Sequence, residues 1–186
     1  MHDSAYPKES HISDQTLLVL LAQTGDRTAL EQLLHNCYAP LRRYITRLAG
    51  ADLADDILQE TSIQIFRKLQ FLREPAVFHA WTLRIASRIA ITHLKRAHRW
   101  QTLDDAPLGT VTPSSELGEP PDAAFLALLD GVSPASRAVL LLHYQHDLSL
   151  EETAAILDIP VGTAKSRLHY GVATLRKHLT FERKPA

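Results

Sequence analysis

The sequence holds a single cysteine, Cys37, among 186 residues. One thiol excludes an internal disulfide framework, a cysteine zinc ribbon and an iron–sulfur centre. Glycine is scarce at seven residues, and none of them builds a glycine-rich phosphate loop. No apolar run approaches the roughly 18 residues of a membrane span. The N-terminus, Met1-His2-Asp3-Ser4, lacks the basic segment and apolar stretch of a signal peptide. The expectation is a cytoplasmic chain without membrane insertion. Paired catalytic groups are also missing, so an enzyme is not expected, and neither is a cofactor. The pairs His143/His146 and His35/Cys37 lack the further ligands of a metal site, so no metal is expected.

What is present is an ordinary soluble composition, 45% hydrophobic and 22% charged. That is enough apolar material for real cores, in one compact domain or two small ones. The formal net charge of −1 hides segregation. Arg84, Arg88, Lys95, Arg96 and Arg99 fall in a stretch with no acid, while Asp52, Asp55, Asp56 and Glu60 fall in one with no base. Residues 101–130 carry six acids and no base. Phosphate attraction is local on the scale of a Debye length, about 8 Å in cells, so sorted charge matters more than the sum. A basic stripe between acidic ones points to a chain that touches nucleic acid with one part and keeps another part off it.

Helical periodicity dominates, and no strand pattern competes with it. Leu17, Leu20 and Leu21 form one segment. Leu30, Leu33, Leu34, Tyr38, Leu41, Ile45 and Leu48 form a second, with Asp26 as N-cap, Gly50 at its end, and Pro40 expected to kink or interrupt it. A third helix is expected from Asp52 to about Leu69, with Leu53, Ile57, Thr61, Ile65 and Leu69 inward. The fourth runs from Pro75 to about Ala97 and buries Val77, Phe78, Trp81, Ile85, Ile89 and Leu94. Then the character changes. Gln101–Asp122 holds four prolines and two glycines without apolar period, which reads as a linker. Helix resumes near Ala123 with Phe125, Leu126, Leu128 and Leu129, and Ser133-Pro134 starts another carrying Val139, Leu140, Leu142 and Tyr144. The fold class is therefore all-α: two small helical domains joined by a flexible linker.

The sharpest local signal is Ser149-Leu150-Glu151-Glu152, a capping box. A short helix follows with Thr153, Ala154, Ile156 and Leu157 inward, and Asp158-Ile159-Pro160 breaks it. The next helix carries Ala164, Leu168 and Val172 inside and Thr163, Lys165, Ser166, Arg167, His169 and Tyr170 outside. This is a helix-turn-helix whose second helix offers cations and hydroxyls suited to a major groove. A plain helical hairpin with a solvated face fits the same pattern. From Asp130 onward the chain carries seven basic and six acidic residues, so this domain alone is expected to bind DNA weakly.

Val132–Leu179, with its Ser-Pro-Ala-Ser-Arg-Ala-Val-Leu-Leu-Leu, Leu-Ser-Leu-Glu-Glu-Thr-Ala and Ile-Pro-Val-Gly-Thr-Ala-Lys-Ser-Arg-Leu, resembles region 4 of bacterial sigma factors. The nearest group is the extracytoplasmic-function (ECF) sigma factors of the sigma-70 family. Asp55-Asp56-Ile57-Leu58-Gln59-Glu60-Thr61 resembles their region 2.2, and Phe78–Ala86 their regions 2.3 and 2.4. The resemblance covers about residues 15–100 and 123–180, in family order. It implies region 2 over 12–100, a linker over 101–122 and region 4 over 123–180. It further implies that Asp55, Asp56, Gln59 and Glu60 dock on core RNA polymerase. Trp81, Arg84, Arg88, Lys95 and Arg96 would hold the −10 element of promoter DNA. Thr163, Lys165, Ser166, Arg167, His169 and Tyr170 would face the −35 element. An anti-sigma factor is the implied inhibitory partner.

Alternatives stand beside these roles. Phe78 and Trp81 fit a core as well as a base platform, and the Asp55–Glu60 acids also complement a helix dipole. Relative to the family, Arg88 stands where Asn is common, Thr92 where Asp is, and Tyr170 where Arg often is, with a basic residue often found near Gly171. The linker can stretch to about 70 Å. Promoter elements one and a half turns apart are separated by about 50 Å, so the tether reaches. Opening DNA means unstacking bases and holding them on aromatic or guanidinium surfaces, for which Trp100 and the loop Gln70–Glu74 are further candidates. A stand-alone two-domain helix-turn-helix regulator is the alternative function.

Overall fold

The computed structural model describes residues 8–97, 99, 129 and 131–182, with side chains for 14–97, 99, 129 and 131–177. The linker 101–122, the helix expected from Ala123 to Leu128, and Trp100 lie outside the described residues. All regular elements within them are helical. The first domain contains α1 (Lys8–Gln23), α2 (Arg27–Ala49), α3 (Ala51–Lys68), short 3-10 turns at Leu69–Phe71 and Pro75–Val77, and α4 (Phe78–Arg96). The second contains α5 (Pro134–Leu140), a π turn (Leu141–Gln145), α6 (Leu150–Leu157) and α7 (Val161–Glu182).

Local chemistry explains the boundaries. Asp26 caps α2 by accepting from the Ala29 amide at 3.0 Å. Gly50 joins α2 to α3 at φ 95°, a left-handed backbone that side chains resist. Ser149 accepts from the Glu152 amide at 3.1 Å while the Ser149 amide donates to the Glu152 carboxylate at 2.8 Å, closing the expected capping box. Asp158 ends α6 in the αL conformation at φ 57°. Ser133 caps α5, with Pro134 at its start.

Buried side chains from α2, α3 and α4, including Leu33, Tyr44, Ile45, Ile57, Ile65, Phe78 and Leu83, fill the first domain. Tyr44 is fully buried, and its hydroxyl lies 2.7 Å from Ser87 Oγ. Gln23 Nε2 donates to the Leu69 and Leu72 carbonyls at 2.9 and 2.7 Å. That pins the turn before α4 to the end of α1, and so sets where α4 begins.

Several expectations are corrected. The helix α2 runs through Pro40 without interruption; Pro40 and Asn36 both lie on the exposed side, where water can reach the carbonyl that proline leaves without its amide. In α1, Leu17, Leu20 and Leu21 are exposed while Val19 is fully buried. Val77 sits in the 3-10 turn before α4 and is exposed, and Trp81 and Ile85 are half-buried rather than core. Tyr144 lies outside α5, on the π turn, and is 63% exposed.

Candidate nucleic-acid interface

On α3, Asp55, Asp56, Gln59 and Glu60 are all exposed, opposite buried Ala54, Ile57, Leu58 and Thr61. Two of the acids are tied to neighbouring helices. Asp55 lies 3.7 Å from Arg42 of α2, and Glu60 lies 3.0 Å from His93 of α4. Solvent-exposed pairs of this kind add little to stability, so they leave the acids available to a partner. Asp56 makes no ion pair with a described residue. Sequence reasoning missed the continuation of this face: Ile63 and Phe66 are 43% and 60% exposed on the same side of α3. Their signal was present, since both are large apolar residues off the inward Ile57/Thr61/Ile65 stripe.

On α4, Arg84, Arg88, Lys95 and Arg96 are exposed and Trp81 is half-buried. At 3.6 residues per turn these five share about 120° of the helix surface. Phe78 is fully buried; the Trp81 ring leans on it, with centroids 5.9 Å apart. Trp81 thus has one face braced by the core and part of its ring in solvent, which a stacking platform requires. Arg99, beyond the helix, donates to Asp52 at 2.7 Å, so that cation is committed to α3. Phe71, 72% exposed in the turn before α4, adds an aromatic within the Gln70–Glu74 loop.

On α7, Lys165, Ser166, His169 and Tyr170 are exposed, whereas Thr163 and Arg167 are half-buried at the flanks. The His169 and Tyr170 rings meet edge-on at 6.0 Å. Ser166 Oγ donates to the Gly162 carbonyl at 3.0 Å, which leaves its lone pairs outward. Buried Ala164 seats the helix, and Gly171 sets its approach to α5: an added Cβ would lie 2.7 Å from Leu140 Cδ1. A side chain at 171 has no room unless Leu140 gives way.

The histidines do not converge. His143 Nδ1 lies 2.7 Å from the Leu148 carbonyl, while His146 packs against Tyr44 and His79. Among the described residues no three His, Cys, Asp or Glu side chains gather as a metal site. No helix among them is long and apolar enough to cross a membrane.

Residues 33–100 match the family model for sigma-70 region 2, and residues 122–175 match that for sigma-70 region 4. The ECF RNA polymerase sigma factor SigW of Bacillus subtilis is 32% identical over 83% of this chain and 91% of its own length. The chain belongs to the extracytoplasmic-function sigma factors. The ECF sigma factor SigE of Mycolicibacterium smegmatis is also 32% identical, over 84% of this chain, which spans 65% of that longer protein. In fold, the chain is similar to the sigma factor RpoE of Bartonella quintana, crystallised with the anti-sigma factor NepR (TM-score 0.64, 24% identity, 82% of this chain and 98% of that one). As an ECF sigma factor, it directs RNA polymerase to promoters, and members of this class are initiation factors rather than enzymes.

Proposed function

We propose that three exposed faces of this sigma factor divide promoter recognition among them. Region 2 spans 12–100 and region 4 spans 123–180, tethered by 101–122. The α3 face, Asp55, Asp56, Gln59 and Glu60 with Ile63 and Phe66 beside them, docks on core polymerase. Acids at the rim steer association, and the two apolar side chains supply area that leaves water on docking. The α4 stripe, Trp81, Arg84, Arg88, Lys95 and Arg96, holds the −10 element. There the guanidinium and lysine groups track phosphates, and Trp81 receives an unstacked base. The α7 face reads the −35 element through Lys165, Ser166, His169 and Tyr170, with Thr163 and Arg167 reaching flanking phosphates.

The chain itself carries out no covalent chemistry; polymerase binding energy drives strand opening. An anti-sigma factor that covers the polymerase-docking faces is the inhibitory partner, and the protein works in the cytoplasm beside the polymerase. The observation that carries this reading is the placement of an acidic–apolar face and a basic–aromatic stripe on adjacent helices, α3 and α4, of the domain that precedes an exposed recognition helix. The test is co-elution with sigma-free core polymerase. Asp56→Arg combined with Glu60→Arg, and separately Phe66→Ser, should each weaken co-elution while the circular dichroism of the free chain stays native. Retention of wild-type affinity in both variants would remove α3 from the docking surface.

A further inference from the structure

Gln23 closes α1 at a corner that has little freedom. The Thr24 amide donates back to the Leu20 and Leu21 carbonyls at 3.2 and 3.1 Å, the Asp26 amide donates to the Leu21 carbonyl at 3.1 Å, and Asp26 then caps α2. Val19, fully buried one turn back, anchors the same end in the core. From this corner the Gln23 side chain crosses to the turn that joins α3 to α4. Its Nε2 donates to the Leu69 carbonyl at 2.9 Å and to the Leu72 carbonyl at 2.7 Å. Both partners are carbonyls, so the atom between them must be the amide nitrogen, with both of its protons engaged. Leu69 and Leu72 are buried, while Phe71 between them stands in solvent.

The turn gains from being held. Leu69–Phe71 is a single 3-10 turn, closed by the Leu72 amide on the Leu69 carbonyl at 3.1 Å, and both Leu72 and Glu74 after it are extended. So short a 3-10 turn has poor hydrogen-bond geometry of its own. Fixing the carbonyls on either side of Phe71 fixes the direction in which that ring projects. Arg67, Lys68 and Arg73 are exposed around it, so the turn carries the aromatic and cationic groups that receive unstacked bases and their phosphates. It also stands between the two working helices: α3, with the docking face, ends at Lys68, and α4, with the −10 stripe, starts at Phe78.

We propose that Gln23 is a positioning residue for promoter opening: it touches no DNA, and it holds the Phe71 turn in the geometry in which that ring takes up a base beside the −10 stripe. This role rests on the −10 reading of region 2 and extends it to the turn. The two donors matter here, not the size of the side chain. Glutamate has the same shape but sets carboxylate oxygens against two carbonyl oxygens, and methionine has a similar length with no donor at all.

Two measurements on the full chain test it, with Gln23→Met and Gln23→Glu. The first is hydrogen exchange at the Leu72 amide, with no DNA present. Exchange there should quicken while the Tyr44 and Ile45 amides of α2 keep native protection, which also verifies that both variants fold. Unchanged exchange at Leu72 overturns the clamp. The second is promoter opening with sigma-free core polymerase on a pooled genomic promoter library, read as permanganate-reactive thymines upstream of the start sites. Both variants should open it about tenfold more slowly, with co-elution with core polymerase unchanged. In a Phe71→Ala background the same substitutions should add nothing, whereas a merely structural loss would multiply with it. A loss that persists in that background, or faster Leu72 exchange with opening at the wild-type rate, overturns the positioning role. If Phe71→Ala alone opens promoters normally, the turn takes up no base and the proposal falls with it. If instead Arg84→Ala opens them normally, the −10 reading of α4 is what failed.

Discussion

Gly171 offers a test in which a single methyl group changes sign with its surroundings. Glycine inside a helix is about 1 kcal/mol less favourable than alanine, so Gly171→Ala would stabilise α7 if nothing stood in its way. Here the new Cβ would lie 2.7 Å from Leu140 Cδ1 and 3.0 Å from Leu140 Cγ, and Leu140 is only 4% exposed. Forcing a methyl group into such a site costs about 1–3 kcal/mol. The net expectation is destabilisation of about 0–2 kcal/mol. In a Leu140→Ala background both crowding atoms are gone and only the propensity gain remains, so the same substitution should stabilise by about 1 kcal/mol. The pair should thus couple by about 1–3 kcal/mol. The assay is native-state hydrogen exchange of the α6 and α7 amides in the full chain, which isolates the second domain from unfolding of the first. Equal effects of Gly171→Ala in both backgrounds would refute the close crossing that orients the recognition helix.

Three further outcomes follow from particular contacts. Ser87 Oγ donates to the Leu83 carbonyl at 2.7 Å, so the Tyr44 hydroxyl must donate to Ser87. Ser87→Ala therefore strands a buried donor and should lower stability by about 1–3 kcal/mol, while Tyr44→Phe should lower it by about 0.5–1.5 kcal/mol; denaturant titration showing the reverse order would contradict the assignment. Burial pushes the Cys37 thiol up to about 11, so its alkylation rate should keep rising well past pH 9, and a plateau near the ordinary value of about 8.5 would contradict that environment. Since the fold favours the neutral thiol, stability should also decline as pH rises from about 8.5 toward about 11. Lys165→Ala should weaken promoters by a contact of about 1–3 kcal/mol if it bridges a guanine; an equal loss in run-off transcription on promoters with and without a −35 element would show a different role.

Much of the fold was legible because its signals are local. Asp26, Gly50, Ser149 and Glu152 act within four residues of themselves, and each does in the structure what its type implies. The apolar run of α1 was not legible in the same way. Leu17, Leu18, Val19, Leu20 and Leu21 make every face apolar, so periodicity cannot choose Val19 as the buried one. Nor does sequence spacing warn that Tyr144 falls on a π turn, where the register slips and the side chain swings into solvent. For the site, charge sorting showed which helices bear acids and bases, and the exposed Arg84, Arg88, Lys95 stripe matches that pattern. Partnership was invisible. Arg47 meets Gln145 across 98 residues, and Arg88 meets Asp158 across a linker, and no short-range pattern encodes either contact.

The central claim is that this chain gives RNA polymerase its promoter, through region 2 and region 4 together. Run-off transcription with the purified chain and sigma-free core polymerase on a pooled genomic promoter library tests it most directly. The account predicts discrete start sites that appear only when the chain is added and that share two upstream elements about one and a half turns apart. No product, together with separate elution of chain and core on a sizing column, would contradict it and point instead to a regulator that binds DNA alone.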